Sequence, residues 1–526
     1  MNYADLFRVT LPETALEVAA LLVLIVDLGF LRKVALKVRV TVAALLGVAG
    51  CGEALWAMRF QCDRFNLDGD PIGHGLLSTG SVTAIAQTGI LILTALTLLL
   101  LIDSVFTNHV GEFVAVVLMA ASGGLLVAAA QDLLVIFVGL ELLSLSLYIM
   151  TAFAKSSHKS AEAALKYYLF GGMSAAFLLF GFSYLYGLTG STSLSEIQLA
   201  ISISGPSPLF YVAWILALAG LGFKVAAVPF HLWAPDTYEG APAPAAAFIA
   251  SVSKVASFAL LISLSNNWLT NSEFILGIGT FAEQFARHYY QTWPKLGLVL
   301  LVVAAASMVV GNLAALAQIS VRRLLAFSAI AHAGYILLGI AAHPVFSGTR
   351  SAIAFQNMAI FSMVHSTNAV LYYVLTYGLT TIGAFGVVAV VERATGSDRL
   401  DSFLGLHKRN PLLAAVLLIL FLSLAGIPPL VGFWAKFNLF AAVLGVSAGP
   451  VPFALVALAV ALSAVSLYYY LQVLKRAYVM PAIDESPIKV HPVTMAVLVV
   501  IAAAAVVMGC FPALLQGWIE SFYPVL

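Results

Sequence analysis

The sequence predicts an all-α polytopic membrane protein of about fourteen transmembrane helices, with two inverted five-helix repeats and two discontinuous helices. Three observations carry that reading. Of 526 residues, 62% are hydrophobic and only 9% charged, whereas a soluble domain carries about 25% charged residues. The apolar residues fall in runs of about 20, the length that crosses a bilayer core of ~30 Å. Deep inside those runs stand Glu141, Lys166, Lys224, Lys254 and Lys436. A charge near the bilayer centre costs roughly 2.5–3.5 kcal/mol on insertion scales, so such residues face a bundle interior or a hydrated cavity and mark an ion or proton path.

Composition also excludes several classes. With a mean hydropathy of +1.02, the question is which residues face lipid rather than how large a soluble core is. The net charge of +1 suggests no nucleic-acid partner and no polybasic lipid site. Cys51, Cys62 and Cys510 form no CxxC pair, which argues against an iron–sulfur or zinc site. The first apolar run follows the acidic LPETALE and not a basic segment, so it reads as a first span and not as a cleavable signal peptide.

In chain order the expected spans are 11–31, 38–58, 80–102, 112–131, 133–153, 162–187, 209–231, 242–265, 296–319, 323–342, 365–391, 411–445, 451–474 and 492–518. The run 411–445 is too long for one straight helix and contains GIPPLVGF, so it reads as broken; 209–231 has Pro229 near its end. Proline removes a backbone donor and clashes with the preceding turn, so both spans should kink or unwind there. Lysines and arginines orient the set. Fifteen fall in loops on one side, six on the other, and the four intramembrane lysines complete the total of 25. The positive-inside rule then puts both termini outside. Broken spans five apart in order suggest units at 112–265 and 296–474, flanked by 1–111 and 475–526. Five is odd, so the units enter the membrane in opposite senses, as in many transporters. For the outer segment 266–293, an interfacial helix and an ordered loop are the alternatives.

The chemistry follows from the buried charges. Glu141 follows Gly139 in the fifth span, and Lys166 lies early in the sixth. Lys224 is expected about two turns before the inner end of the seventh span, and Lys254 over three turns into the eighth. Spans joined by short loops tend to be neighbours, so these groups are candidates for one buried row. A buried lysine beside a carboxylate gains or loses its proton as that contact tightens or loosens. His231, next to the break at Pro229, suits a relay role. Ser144, Ser146, Ser251 and Ser253 are placed to order water between these groups. The bland readings differ by residue. Lys166 is near enough to the inner surface to snorkel, and Lys436 follows a helix break whose freed carbonyl it can cap. His332 and His365 read as hydrogen-bonded packing residues, and no histidine pair is spaced to bind haem.

The stretch GLGFKVAAVPFHLWAPDTYEGAPAPAAAFIASVSK, with LELLSLSLYIM, EAALKYYLFGGMSAAFLLFG, RRLLAFSAIAHAGYILLGI and SLAGIPPLVGFWAKF, resembles the antiporter-like membrane subunits of respiratory complex I, the type I NADH:quinone oxidoreductase. DTYEGAP makes the bacterial subunit N the best match. The likeness runs from about residue 112 to 476. It implies that Glu141 and Lys224 form the pair coupled to proton movement, and that Lys166, His231, Lys254 and Lys436 also transfer protons. Lys436 stands where subunit M usually has glutamate. The resemblance further implies a subunit with no cofactor or metal of its own, NADH, flavin, iron–sulfur clusters and quinone being held elsewhere in the complex. Its implied partners are the other complex I subunits, with subunit M and small membrane subunits as neighbours, and membrane lipid. Its implied place is the bacterial inner membrane. The rivals are a subunit of a multi-subunit cation/proton antiporter or membrane hydrogenase, a stand-alone solute carrier, and a quinone- or haem-binding redox subunit. DTYEGAP and the chain length favour complex I. The loop QCDRFNLDGD lacks the basic motif many carriers show there, and the missing histidine pair disfavours the redox subunit.

Overall fold

A computed structural model describes residues 7–62, 75–104, 106–267, 279–341, 352–446, 450–482 and 484–523. Among these residues the chain forms helices and no strand. The elements are α1 (Leu11–Ile25), α2 (Leu36–Cys62), α3 (Ser81–Leu101), α4 (Val110–Ala129), α5 (Leu133–Thr151), α6 (His158–Thr189), α7 (Leu194–Ser204), α8 (Pro208–Lys224), α9 (Trp233–Gly240), α10 (Ala243–Ala250), α11 (Val252–Asn267), α12 (Gly279–Leu316), α13 (Val321–Ala341), α14 (Ala352–Thr395), α15 (Pro411–Ala425), α16 (Val431–Val446), α17 (Pro450–Tyr478), α18 (Pro492–Cys510) and α19 (Ala513–Glu520). Eleven helical stretches are long and apolar enough to cross a membrane, and the shorter α8, α15 and α16 are also apolar. Backbone groups in hydrocarbon must be satisfied within the chain, and a helix does this alone.

Helix ends follow local sequence. Asp132 caps α5 by accepting from Leu134 and Val135 N–H, and Ser157 caps α6. Ser207 and Asn410 cap α8 and α15, each just before a proline at the first helical position. Such caps satisfy N–H groups that a helix start leaves open, and proline there has no N–H to lose. Gly190, at φ 74°, closes α6 in the left-handed conformation, which glycine adopts without steric cost.

The two expected breaks are present. The chain leaves helix between Lys224 and Trp233 around Pro229, and between Ala425 and Val431 around Pro428 and Pro429. Three details differ from the sequence reading. Lys224 is the last residue of α8 rather than two turns inside a span, because the helix ends before the proline is reached. Ala226 takes a positive φ of 58° there, a strained left-handed turn for an alanine. The eighth span, expected to be continuous, is interrupted at Ser251. No Pro or Gly marks that site, but Ser251 Oγ donates to the Ala247 carbonyl, a back-bond that bends helices. Of the segment 266–293, residues 268–278 lie outside the described set, and from Gly279 the chain is one helix continuous with the ninth span. A separate interfacial helix after Gly279 is therefore ruled out.

Burial locates the axis. Every residue of the most apolar stretch of Ala243–Ser265 is buried, as is 94% of that of Val321–Ala341, against 28% for Pro450–Tyr478. Thus α10, α11 and α13 are central, while α17 presents an apolar flank. At one end of the bundle the helix ends carrying Lys159, Arg322, Arg323 and Arg393 converge with the segment carrying Lys489. This end is called inner below.

Candidate functional site

Lysine side chains meet the two breaks directly. Lys224 is buried at the end of α8, and its Nζ donates to Ser144 Oγ on α5 at 2.5 Å. Ser144 in turn donates to the Leu140 carbonyl. Around the same break, Trp233 Nε1 donates to the Phe223 carbonyl at 2.9 Å, and Val228 N–H donates to Ser307 Oγ on α12 at 2.9 Å. Tyr167 of α6 stacks on Trp233 with centroids 4.3 Å apart. The break is thus held by side chains from three helices, which satisfies backbone groups that hydrocarbon would leave open.

Lys436 lies on the other side of the second break, in the helix that follows it. Its Nζ donates to the Ala425 carbonyl at 2.8 Å and to Ser463 Oγ at 2.7 Å. Ala425 is the last residue of α15, so the carbonyl-capping role is present in the geometry. Gly426 makes room for it. Its φ is +87°, and a Cβ there would meet Lys436 Cδ at 2.9 Å. Both reasons require glycine.

Between the breaks lies Lys254 on α11. It is 2% exposed, and its Nζ donates to the Ala329 carbonyl of α13 at 2.5 Å. One turn on, His332 Nδ1 shares a hydrogen bond with Tyr373 OH at 2.8 Å, and its ring lies 4.7 Å from Tyr377. Lys254 Nζ stands 5.6 Å from the Tyr377 ring, and Lys436 Nζ 5.4 Å from that of Tyr335, one turn beyond His332. His332 interacts electrostatically with both lysines. A cavity of about 10 Å³ touches His332, Tyr373, Thr376, Ser423 and Gly432, room for about one water. His332, read from sequence as a hydrogen-bonded packing residue, is buried and hydrogen-bonded as that reading expects, and it stands between the tyrosine rings that Lys254 and Lys436 face.

The remaining sequence candidates are arranged differently. Glu141 is half-buried on α5, and Lys224 bonds to Ser144 rather than to it. No hydrogen bond or ion pair joins Glu141 to Lys224 among the described residues. His231 is half-buried beyond the break, its Nδ1 unpartnered among the described residues. Lys166 is not buried. It is 40% exposed and pairs with Glu162 at 2.6 Å and Asp236 at 2.8 Å. Ser146 and Ser251 spend their hydroxyl hydrogens on their own helices. His365 lies on an exposed face of α14.

Lys166 belongs to an inner ionic cluster. Asp236 also accepts from Arg323 at 2.6 Å, and Glu239 accepts from Arg323 at 3.1 Å and Lys159 at 3.2 Å. Burial alone would raise these two carboxyls, but the cations beside them hold both below their ordinary values. Next to the cluster a cavity of about 530 Å³ opens among Asp103, Lys159, Glu239, Arg322, Glu392 and Arg393. Arg322 forms its wall, donating to the Tyr238 carbonyl at 2.9 Å, to the Ala241 carbonyl and to Glu392. Arg322→Ala would remove these charge-assisted bonds and leave two buried carbonyls without donors. The expected cost is about 2–3 kcal/mol, read as a lower thermal midpoint of the purified assembly. An unchanged midpoint would show that water replaces the guanidinium fully.

Comparison with known proteins follows the same lines. Residues 130–466 match the family described as NADH:quinone oxidoreductase/Mrp antiporter, TM. The chain is 46% identical to NADH-quinone oxidoreductase subunit N 2 of Acidobacterium capsulatum, over 99% of each chain. It is 39% identical to subunit N 1 of Roseiflexus castenholzii, over 86% of this chain and 81% of that one. Among solved structures, a chain of respiratory complex I from Thermus thermophilus with bound aureothin superposes with a TM-score of 0.72. It is 32% identical, over 96% of this chain and 98% of that one. A chain of the Mrp complex from Dietzia shares the fold at a TM-score of 0.76 and 20% identity, over 98% of this chain and 96% of that one.

Proposed function

Because this chain belongs to the subunit N family of NADH-quinone oxidoreductase, we propose that it moves protons along a row of Lys224, Lys254, His332 and Lys436, with Glu141 setting the field at one end. It is a proton-translocating membrane-arm subunit of that enzyme, and quinone reduction in other subunits supplies the energy. The observation that carries the route is the placement of Lys254 and Lys436 against the rings of Tyr377 and Tyr335, which flank His332 on the central helices beside one small cavity that His332 lines. Each lysine is held by carbonyl or hydroxyl oxygens rather than by a carboxylate. An amine so held accepts a proton from water on one side and donates one on the other without breaking an ion pair. Lys166 and His231 flank the row, Lys166 at the inner cavity and His231 at the first break.

The 530 Å³ cavity serves as the inner mouth. The chain holds no flavin, iron–sulfur cluster, nicotinamide or quinone of its own; these belong to the rest of the complex. Subunit M and small membrane subunits are its neighbours. The spans fall into two inverted five-helix units, in the bacterial inner membrane with both termini outside. The loop carrying Asp401 should then be inner. Asp401→Cys should resist an impermeant maleimide in right-side-out vesicles and react after inversion. Labelling before inversion would reverse the orientation.

Purification of the tagged chain in mild detergent tests the assignment. Flavin- and iron–sulfur-bearing subunits should co-purify in fixed ratio. A set of cation-antiporter subunits without redox centres would instead support the Mrp-like reading, for which the shared fold is the present argument.

A further inference from the structure

A second ionisable cluster lies outside the two five-helix units, among the first helices. Glu13, in the first turn of α1, is 7% exposed. Gln87 Nε2 of α3, 5% exposed, donates to Glu13 Oε1 at 3.3 Å and to the Leu125 carbonyl of α4 at 3.2 Å. Glu13 Oε2 is buried and has no hydrogen-bond partner among the described residues. One turn along α1, Glu17 accepts from Ser122 Oγ of α4 at 3.3 Å and is itself exposed. All four side chains sit within two or three turns of the outer ends of their helices.

The other charges on the surrounding helices lie elsewhere. Arg8 precedes α1 and has its own partner, and Glu53 and Arg59 lie on the exposed face of α2. Asp27 with Arg39, and Glu112 with His109, pair at the inner ends. Among the described residues no salt bridge reaches Glu13. A buried carboxylate with one amide donor and a second carboxyl one turn away lacks the pairing that buried charge requires. A proton on Oε2 supplies what the side chains do not, and Glu17 connects the site to the chain surface.

We propose that Glu13, with Gln87, Ser122 and Glu17, forms a second proton-binding site in the outer half of the N-terminal helices, separate from the lysine row. The step is a simple exchange. A proton from outer water binds the unpartnered Glu13 oxygen and leaves by the same face, with Gln87 as the fixed donor to the other oxygen.

The test is pH-difference infrared spectroscopy of the intact complex, comparing the native chain with Glu13→Gln. The native complex should show a buried carboxyl C=O band that is present at low pH, lost at high pH and absent from the variant. Gln87→Leu should shift the midpoint of that band by about one pH unit, because it removes the side-chain donor to the ionised form. A site ionised at every pH would give identical native and variant spectra, and a site never ionised would give a band that does not titrate. Either result overturns the proposal. Glutamine mimics the protonated acid, so Glu13→Gln should assemble normally.

Discussion

Glu141→Ala is expected to lower quinone-coupled proton uptake by at least about tenfold, while the complex still assembles. The structural reason is an electrostatic contact without an ion pair. Lys224 is tethered to Ser144, and no hydrogen bond or ion pair joins it to Glu141 among the described residues. Its removal leaves the Lys224 tether intact, so the break at Pro229 should keep its shape. What disappears is the negative charge that favours a protonated Lys224 over a neutral one. Glu141→Asp should retain part of the activity, because the charge moves by one methylene but persists. Proton uptake in vesicles, normalised to assembled complex, reads the effect. Full uptake by the alanine variant would make Glu141 structural. Loss of assembly in the alanine but not in the aspartate variant would move its role to packing.

Much of this fold is legible in the sequence, because bilayer thickness and hydrogen-bond demand act on every residue alike. Proline located both broken helices to within a few residues. The exact ends were not legible. Ala226 in a left-handed turn carries no sequence mark, and Ser251 interrupts a helix by a back-bond that serine elsewhere in the chain makes without breaking one. The site was partly legible. A lysine in an apolar run announces itself, and Lys254 and Lys436 lie where that logic puts them. Lys166 stands at the inner end, as its place early in the sixth span allowed, and what the sequence does not show is its pairing with Asp236 and Glu162. Pairing was not legible either. The family resemblance implied a Glu141–Lys224 pair, whereas Ser144, one turn along α5, takes the lysine's hydrogen bond. His332 reads from sequence as a hydrogen-bonded packing residue, and its bond to Tyr373 agrees; what the sequence does not show is that it stands between the tyrosine rings that Lys254 and Lys436 face.

Lys254→Arg separates a relay from a merely placed cation. Lys254 donates one bond, to the Ala329 carbonyl, and has no carboxylate partner among the described residues. Were its task to satisfy that carbonyl, arginine would serve, since it keeps the charge and adds donors. A relay must also release its proton, which arginine, with a pKa above about 12, does not do. The same substitution at Lys436 should be less severe, because capping Ala425 and Ser463 requires only donors. The decisive measurement is electron-transfer-driven proton uptake by reconstituted vesicles carrying Lys254→Arg, normalised to assembled complex. The proposed row predicts a fall of at least about tenfold with subunit content unchanged. Uptake equal to that of the native complex would contradict it and remove Lys254 from the path.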